Sequence, residues 1–135
     1  MGNNPIRVLL AKTGLDANGK EIRLLARGLK DEDGMEVFFT GLYRSLEEIV
    51  DIALQEDMDV VGLGVDNGHE MQLFPQLREL LDARGAREVI LIGGGAIPKV
   101  HRTSLKESGI VMEIYGPGTS AKIIAEDLRQ IAAAE

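Results

Sequence analysis

Short runs of apolar residues alternate with amphipathic stretches along the whole chain. Several of these runs are nearly continuous in Val, Ile and Leu, a pattern typical of parallel strands that are covered on both faces. The predicted strands are Ile6–Ala11, Met35–Thr40, Met58–Gly64, Glu88–Gly93 and Val111–Tyr115.

After each predicted strand, apolar residues recur at helical spacing and predict a helix. The second helix begins at a Ser-x-x-Glu capping box, Ser45–Glu48. The third spans about Met71–Ala83, which places Pro75 in its first turn, where a missing N–H costs little. The fourth begins near Pro98 and the fifth after Thr119.

Five strand–helix units in 135 residues predict a parallel sheet with helices on both faces. Right-handed crossovers then favour a flavodoxin-like doubly wound sheet with strand order 2-1-3-4-5. No linker, repeat or low-complexity segment divides the chain, so residues 1–135 form a single α/β domain with its core at about 6–131.

The charge and composition exclude several classes of function. A net charge of −7 opposes phosphate backbones and anionic lipid, so we expect neither nucleic acid nor membrane as a partner. The chain has no cysteine, which excludes thiolate metal sites and a cysteine nucleophile. No apolar run approaches the roughly 20 residues that cross a bilayer, and the N-terminus lacks a signal-peptide pattern. We expect a cytoplasmic protein.

Ligands of an open parallel sheet bind at the carboxyl ends of its strands, where the strand order reverses. The loops predicted at that edge read KTGLDANGKE, DNGHE, GGGAIP and GPGTS, and all four contain glycine. Glycine is common in turns, but four such loops on one edge favour a ligand crevice. Neither GxxxxGK[ST] nor GxGxxG occurs in the first loop, so a nucleotide fingerprint is missing.

Six segments, in order and at matching spacing, carry a family resemblance: RVLLAKTGLD, MEVFFTGL, EEIVDIALQEDMDVVGL, LFPQLRELL, ILIGGGAIP and EIYGPGTS. The chain resembles the cobalamin-binding domain of methylmalonyl-CoA mutase and related acyl-CoA mutases. The resemblance implies that a corrinoid inserts its nucleotide tail into the sheet edge. It also implies a partner, a large barrel subunit that binds the substrate.

In that family, a histidine in an Asp-x-His-x-x-Gly loop binds cobalt from below. A Ser-x-Leu motif and a glycine pair line the channel of the nucleotide tail. The positions that match the family pattern are Lys12, Asp16, Gly93, Gly94, Tyr115, Gly116, Gly118 and Thr119.

The chain departs from the family pattern at three places. Asn18 stands at the histidine position and Glu21 at the last glycine of the same motif. The Ser-x-Leu motif reads Gly64-Val65-Asp66. An asparagine amide offers cobalt a neutral oxygen and no basic nitrogen. We therefore expect Asn18, Gly64 and Asp66 to lie at the cofactor but histidine ligation to be absent.

Other uses of the same edge remain open. His69 follows the third strand and is a candidate cobalt ligand, although a lone histidine is more often a surface or cap residue. Together with Asp16, Asp66 and Glu70 it would form an oxygen-rich cation site, although solvated loop residues explain these side chains more simply. A signalling receiver shares this fold and places its phosphoaccepting Asp where Asp66 stands.

The sequence thus predicts the adenosylcobalamin-binding domain or small subunit of an acyl-CoA mutase. Its task is to position the corrinoid against a separate barrel subunit. The alternatives are a docking subunit that has lost the cofactor, or a receiver-like or other small-ligand module. In either mutase role we expect no activity from the chain alone, and assembly into an oligomer is possible.

Overall fold

A computed structural model describes residues 4–12, 19–41, 45–65 and 68–133. The ten elements alternate strictly between strand and helix. They are β1 Ile6–Lys12, α1 Lys20–Lys30, β2 Met35–Phe39, α2 Leu46–Gln55, β3 Val60–Gly64, α3 Glu70–Ala83, β4 Ile90–Gly94, α4 Lys99–Glu107, β5 Glu113–Tyr115 and α5 Ala121–Ala133. The predicted order of elements is confirmed.

The five strands form one parallel sheet in the order β2-β1-β3-β4-β5. The predicted doubly wound fold is therefore correct. Alternate residues of each strand face opposite sides, so the sheet has two separate apolar layers. Leu9 and Ala11 pack with α2, α3 and α4, whereas Val8 and Leu10 pack with α1 and α5. No described helix has the length and apolar character needed to cross a membrane.

The predicted capping box begins α2. The Ser45 hydroxyl accepts the backbone N–H of Glu48, and the Glu48 carboxylate accepts the backbone N–H of Ser45. This exchange satisfies two N–H groups that a helix otherwise leaves without partners.

The prediction that Pro75 lies in the first turn of α3 is wrong. The helix begins at Glu70, one residue earlier than predicted, so Pro75 is its sixth residue and lies inside the helix. At this position proline removes one internal hydrogen bond. The first turn forms nevertheless because Glu70 is buried and anchored there, with its side chain bonded to His101 of α4.

Candidate functional site

Four residues on neighbouring strands form one row across the carboxyl end of the sheet. Lys12 is paired with Gly64, Gly64 with Gly94, and Gly94 with Tyr115. Leu10, two residues before Lys12, belongs to the layer of α1 and α5, so the row faces the same side. The two glycines at the centre leave a trough between the Lys12 and Tyr115 side chains.

A cavity of about 800 Å³ lies over this trough, between the sheet and the helices α1 and α5. Apart from Glu21 at the start of α1, the helix-side walls are apolar or carry no side chain. They comprise Ile22, Leu24, Leu25, Gly28, Ala121 and Ile124. The sequence analysis did not identify these wall residues as part of the site, because it placed the ligand in the loops.

Packing among the described residues does not require the glycines of the trough. A Cβ atom at Gly64 would meet no atom of the described residues closer than 3.5 Å, and one at Gly94 no such atom closer than 3.8 Å. Neither residue has a positive φ. Since glycine weakens a strand, its presence at both positions indicates that something else approaches the backbone there.

Other glycines of the same strands have a structural reason. A Cβ at Gly93 would lie 2.5 Å from the Phe74 ring, on the face opposite the trough. Gly62 is similarly crowded by Leu10 at 2.8 Å. The predicted glycine pair therefore divides into Gly94, whose Cα faces the cavity, and Gly93, which makes room for the core.

The side wall of the trough at β5 is Tyr115. Its hydroxyl donates to Asp127 Oδ2 on α5 at 2.9 Å. Burial raises the pKa of the phenol far above its usual value, and the hydrogen bond and the charge of Asp127 raise it further. The ring is therefore neutral and held in place, with its O–H already engaged.

The loop after β5 forms a hydrogen-bonded turn at the cavity. The Thr119 hydroxyl donates to the Gly116 carbonyl at 2.7 Å, and Gly118 has a φ of +82°. Gly116, Gly118 and Thr119 all line the cavity, and their predicted contact with a cofactor stays a prediction. At the start of α5, the Ser120 hydroxyl accepts the N–H of Ile123. The Ser120 side chain thus satisfies one backbone N–H at the start of α5.

A buried acid lies at the same edge, on the other side of the sheet. Glu70 is 1% exposed, and its Oε2 lies 2.7 Å from His101 Nδ1. Its Oε1 accepts the backbone N–H of Gly68 at 3.1 Å. Burial raises the pKa of Glu70, but the hydrogen bonds from His101 and from the backbone outweigh burial and hold the pKa below its usual value.

The contacts of Glu70 and the position of His69 are relevant to two hypotheses: an oxygen-rich cation site at this edge, and His69 as a cobalt ligand. Both Glu70 oxygens are already bonded within the protein. His69 is exposed at the N-cap position of α3 and forms no capping bond with its side chain. Within the described ranges, no three His, Cys, Asp or Glu residues lie close enough to hold a metal ion. Asp16, Asn18 and Asp66 lie outside the described residues, and their roles stay predictions.

The α1 side of the cavity also contains one departure from the family pattern. Glu21, in the first turn of α1, is exposed and lines the cavity. Lys12 is nearly buried at the β1 end of the row, at 8% exposure. A cation and an anion thus both line the cavity, one at the end of β1 and one at the start of α1.

One signal in the sequence points to the helix walls. Gly28 lies inside α1, where glycine costs about 1 kcal/mol relative to alanine. The structure explains it, because a Cβ at Gly28 would lie 2.8 Å from the Cβ of Ala121. This pair brings α1 and α5 together beside the cavity.

Residues 6–125 match the family described as the B12 binding domain. The small subunit of 2-hydroxyisobutanoyl-CoA mutase from Aquincola tertiaricarbonis is 40% identical, covering 99% of this chain and 97% of that protein. The small subunit of pivalyl-CoA mutase from Xanthobacter autotrophicus is 34% identical, covering 93% and 82%.

Among solved structures, a cobalamin-binding protein from Desulfitobacterium hafniense superimposes with a TM-score of 0.71 over 96% of this chain and 58% of that one. Its sequence identity is 20%, so this likeness supports the fold alone. The family match extends from β1 into α5 and so includes every strand of the row. The chain belongs to the B12 binding domain family.

Proposed function

We propose that the chain is the cobalamin-binding small subunit of an acyl-CoA mutase. The observation that carries the proposal is the trough of Gly64 and Gly94, which the protein's packing leaves free and an apolar cavity encloses. Family membership identifies the ligand class as a corrinoid. Two relatives that match over most of their length are mutase small subunits, which supports a larger catalytic partner.

The residues present fit the nucleotide tail of a corrinoid. A flat aromatic base would lie against the bare backbone of Gly64 and Gly94. Tyr115 would flank the base from β5, and the turn 116–119 would close the outer end. A buried base of this kind gains hydrophobic stabilisation from the apolar helix walls.

The chain's own contribution is to bind and orient. Adenosylcobalamin, when bound, supplies radicals by homolysis of its cobalt–carbon bond. Gly64, Gly94, Tyr115 and the turn 116–119 would hold the tail and so orient the cofactor for the partner. The large barrel subunit would then provide the substrate site and enclose the reacting groups. We expect no turnover by the chain alone.

The proposal also includes the loss of the histidine that binds cobalt in the family. Asn18 stands where the family has a cobalt-binding histidine, and an amide is a weak ligand for cobalt. At this position the chain would therefore supply no imidazole nitrogen to the metal.

A binding experiment tests the proposal directly. The purified chain is mixed with hydroxocobalamin or adenosylcobalamin, free cofactor is removed by filtration, and the visible spectrum of the retained fraction is recorded. We expect stoichiometric retention and a base-off spectrum, in which the tail base no longer coordinates cobalt. A filtrate that contains all of the corrinoid would contradict cobalamin binding, and a base-on spectrum would contradict the placement of the base.

One observation favours a second candidate, a docking subunit without cofactor. The histidine and the last glycine of the first-loop motif are both replaced, at Asn18 and Glu21. Affinity capture from the native host separates the two functions. Capture of a barrel subunit by a chain that retains no corrinoid would establish the docking role.

A further inference from the structure

We propose that Glu70 and His101 are positioning residues for the cofactor site, which they support from the opposite side of the sheet. Glu70 Oε2 lies 2.7 Å from His101 Nδ1, and Glu70 Oε1 accepts the backbone N–H of Gly68 at 3.1 Å. These three residues, named here the Glu70 bridge, join the loop after β3 to the first turn of α4. The inference rests on the proposed corrinoid function and extends it to residues that do not line the cavity.

The two loops that the Glu70 bridge joins both begin at the cavity. Gly64 and Val65 line it at the end of β3, and Gly94, Gly95 and Ala96 line it at the end of β4. The loops are in close contact there, because the Val65 N–H donates to the Gly94 carbonyl at 3.1 Å. A Cβ atom at Gly95 would lie only 2.7 Å from the Val65 carbonyl oxygen. The relative position of the two loops therefore sets the shape of this part of the cavity.

The Glu70 bridge connects the same two loops a second time, at the starts of their helices. Gly68 lies two residues before the first residue of α3, and His101 is the third residue of α4. Loops that are joined both at the strand ends and at the helix starts have little freedom to separate. A binding site needs such support, because its geometry must be held within about 0.5 Å.

Stability alone does not explain a carboxylate at position 70. Glu70 is 1% exposed, and burying a charge costs free energy even when the charge is paired. Apolar residues of similar volume in place of such a pair often leave a protein equally stable or more stable. A carboxylate with both oxygens engaged adds direction, because the two bonds fix Gly68 and His101 relative to each other. The Glu70 bridge therefore specifies the arrangement of the two loops.

The test measures the Kd of the full chain for adenosylcobalamin by equilibrium dialysis, well below the melting temperature of each variant. Nearly all molecules are then folded, so a loss of stability alone does not change the Kd. Glu70→Ala removes both bonds of the bridge and should weaken binding at least about tenfold. Glu70→Gln keeps an oxygen for the Gly68 N–H and offers an amide N–H to His101. Its Kd should therefore stay within about threefold of the wild-type value.

Arg78→Ala is the matched control for stability. Arg78 lies on the same helix, α3, but its guanidinium donates to the carbonyls of Ala86 and Val89, at 3.0 and 2.7 Å, just before β4 begins. These contacts lie at the opposite edge of the sheet from the cavity. The variant should lose stability, yet its Kd should remain within about twofold of the wild-type value because the Glu70 bridge is intact.

His101→Ala provides a second test if Glu70→Ala does not fold. The His101 side chain is 39% exposed, and its removal leaves the bond between Glu70 and Gly68 in place. We expect its Kd to rise at least about threefold. Urea unfolding verifies which variants are folded.

A wild-type Kd in folded Glu70→Ala or His101→Ala would overturn the inference. An equal loss of affinity in Arg78→Ala would overturn it as well, because affinity would then follow stability and not the bridge. Failure of the wild type itself to bind adenosylcobalamin would instead reject the proposed corrinoid function, and the inference with it. The two failures are therefore distinguishable.

Discussion

Gly64 and Gly94 are direct register partners on adjacent parallel strands, and neither needs to be glycine for the packing of the protein. Two residues paired in this way normally carry side chains on the same face of the sheet, and their contact stabilises the strand pair. Here the chain leaves the pair bare at the ligand edge, between Lys12 and Tyr115. We interpret the missing side chains as space for the ligand.

Gly94→Ala should separate binding from stability. The new Cβ would have no neighbour closer than 3.8 Å among the residues that the structure describes, so the ligand-free protein should melt at the same temperature or slightly higher. The methyl group would occupy the trough, and corrinoid affinity should fall at least about tenfold, as expected for overpacking of a filled site. Calorimetry and filtration binding measure the two effects.

Gly93→Ala is the matched control for this variant. It lies next to Gly94 on the same strand, but its Cβ would lie 2.5 Å from Phe74. We expect a loss of about 1–3 kcal/mol in the free energy of unfolding. A stable Gly93→Ala protein, or a Gly94→Ala protein with full affinity, would show that the two faces have been assigned wrongly.

Some features of the fold and the site can be predicted from the sequence, and others cannot. The strand order followed from the alternation of apolar runs and amphipathic stretches, since right-handed crossovers leave few topologies for five such units. The row of Lys12, Gly64, Gly94 and Tyr115 did not follow, because it depends on register, and register is set by contacts between strands. Register also decides that the Cα of Gly94 faces the cavity and the Cα of Gly93 faces Phe74, although both residues line the cavity.

The error at Pro75 has a different origin. Proline favours the first helical turn, and a prediction from local preferences places the helix start accordingly. In the folded protein the start is fixed by a long-range pair, Glu70 with His101, whose partners are 31 residues apart. Local propensity is a weak prior against such a buried contact.

Tyr115→Phe should destabilise the protein without affecting the trough. The variant loses the hydrogen bond from the hydroxyl to Asp127, which contributes about 1 kcal/mol. The ring remains, so corrinoid affinity should stay within about twofold, because the hydroxyl faces α5 and not the ligand. A large loss of affinity would show that the hydroxyl itself contacts the ligand.

Tyr115 should also affect stability in alkali. Its pKa is raised in the folded state, so the folded protein holds this proton more tightly than the unfolded chain does. The resulting stabilisation is complete below the ordinary tyrosine pKa of about 10 and is lost as the pH rises above that value. Unfolding in urea between neutral pH and pH ~11 should show a steeper decline for the wild type than for Tyr115→Phe.

Glu70 should affect stability in acid, with a pH dependence opposite to that of Tyr115. Its pKa is lowered in the folded state, so its stabilisation is complete above the ordinary glutamate pKa of 4.5 and is lost as the pH falls through the lower folded pKa. His101→Ala removes the partner at Oε2 and should cost about 1–2 kcal/mol at neutral pH, because the carboxylate remains buried. In Glu70→Gln, the part of the acid decline that this group causes should disappear. Urea unfolding at pH 7 and pH 4 measures both effects, and equal slopes for Glu70→Gln and the wild type would contradict the assignment.

The last prediction concerns the first loop. Asn18→His combined with Glu21→Gly restores the family motif Asp-x-His-x-x-Gly, beginning at Asp16. We expect this double variant to bind cobalamin without histidine coordination, because Asp66 still stands where the family has a leucine beside the tail. Adding Asp66→Leu removes that charge and should allow the imidazole to reach cobalt.

Electron paramagnetic resonance of the cob(II)alamin complex detects an axial nitrogen, and ¹⁵N-histidine labelling distinguishes it from the tail base. The triple variant should change its splitting on labelling, and the double variant should not. A label-dependent splitting in the double variant would show that Asn18 and Glu21 alone account for the loss of histidine ligation.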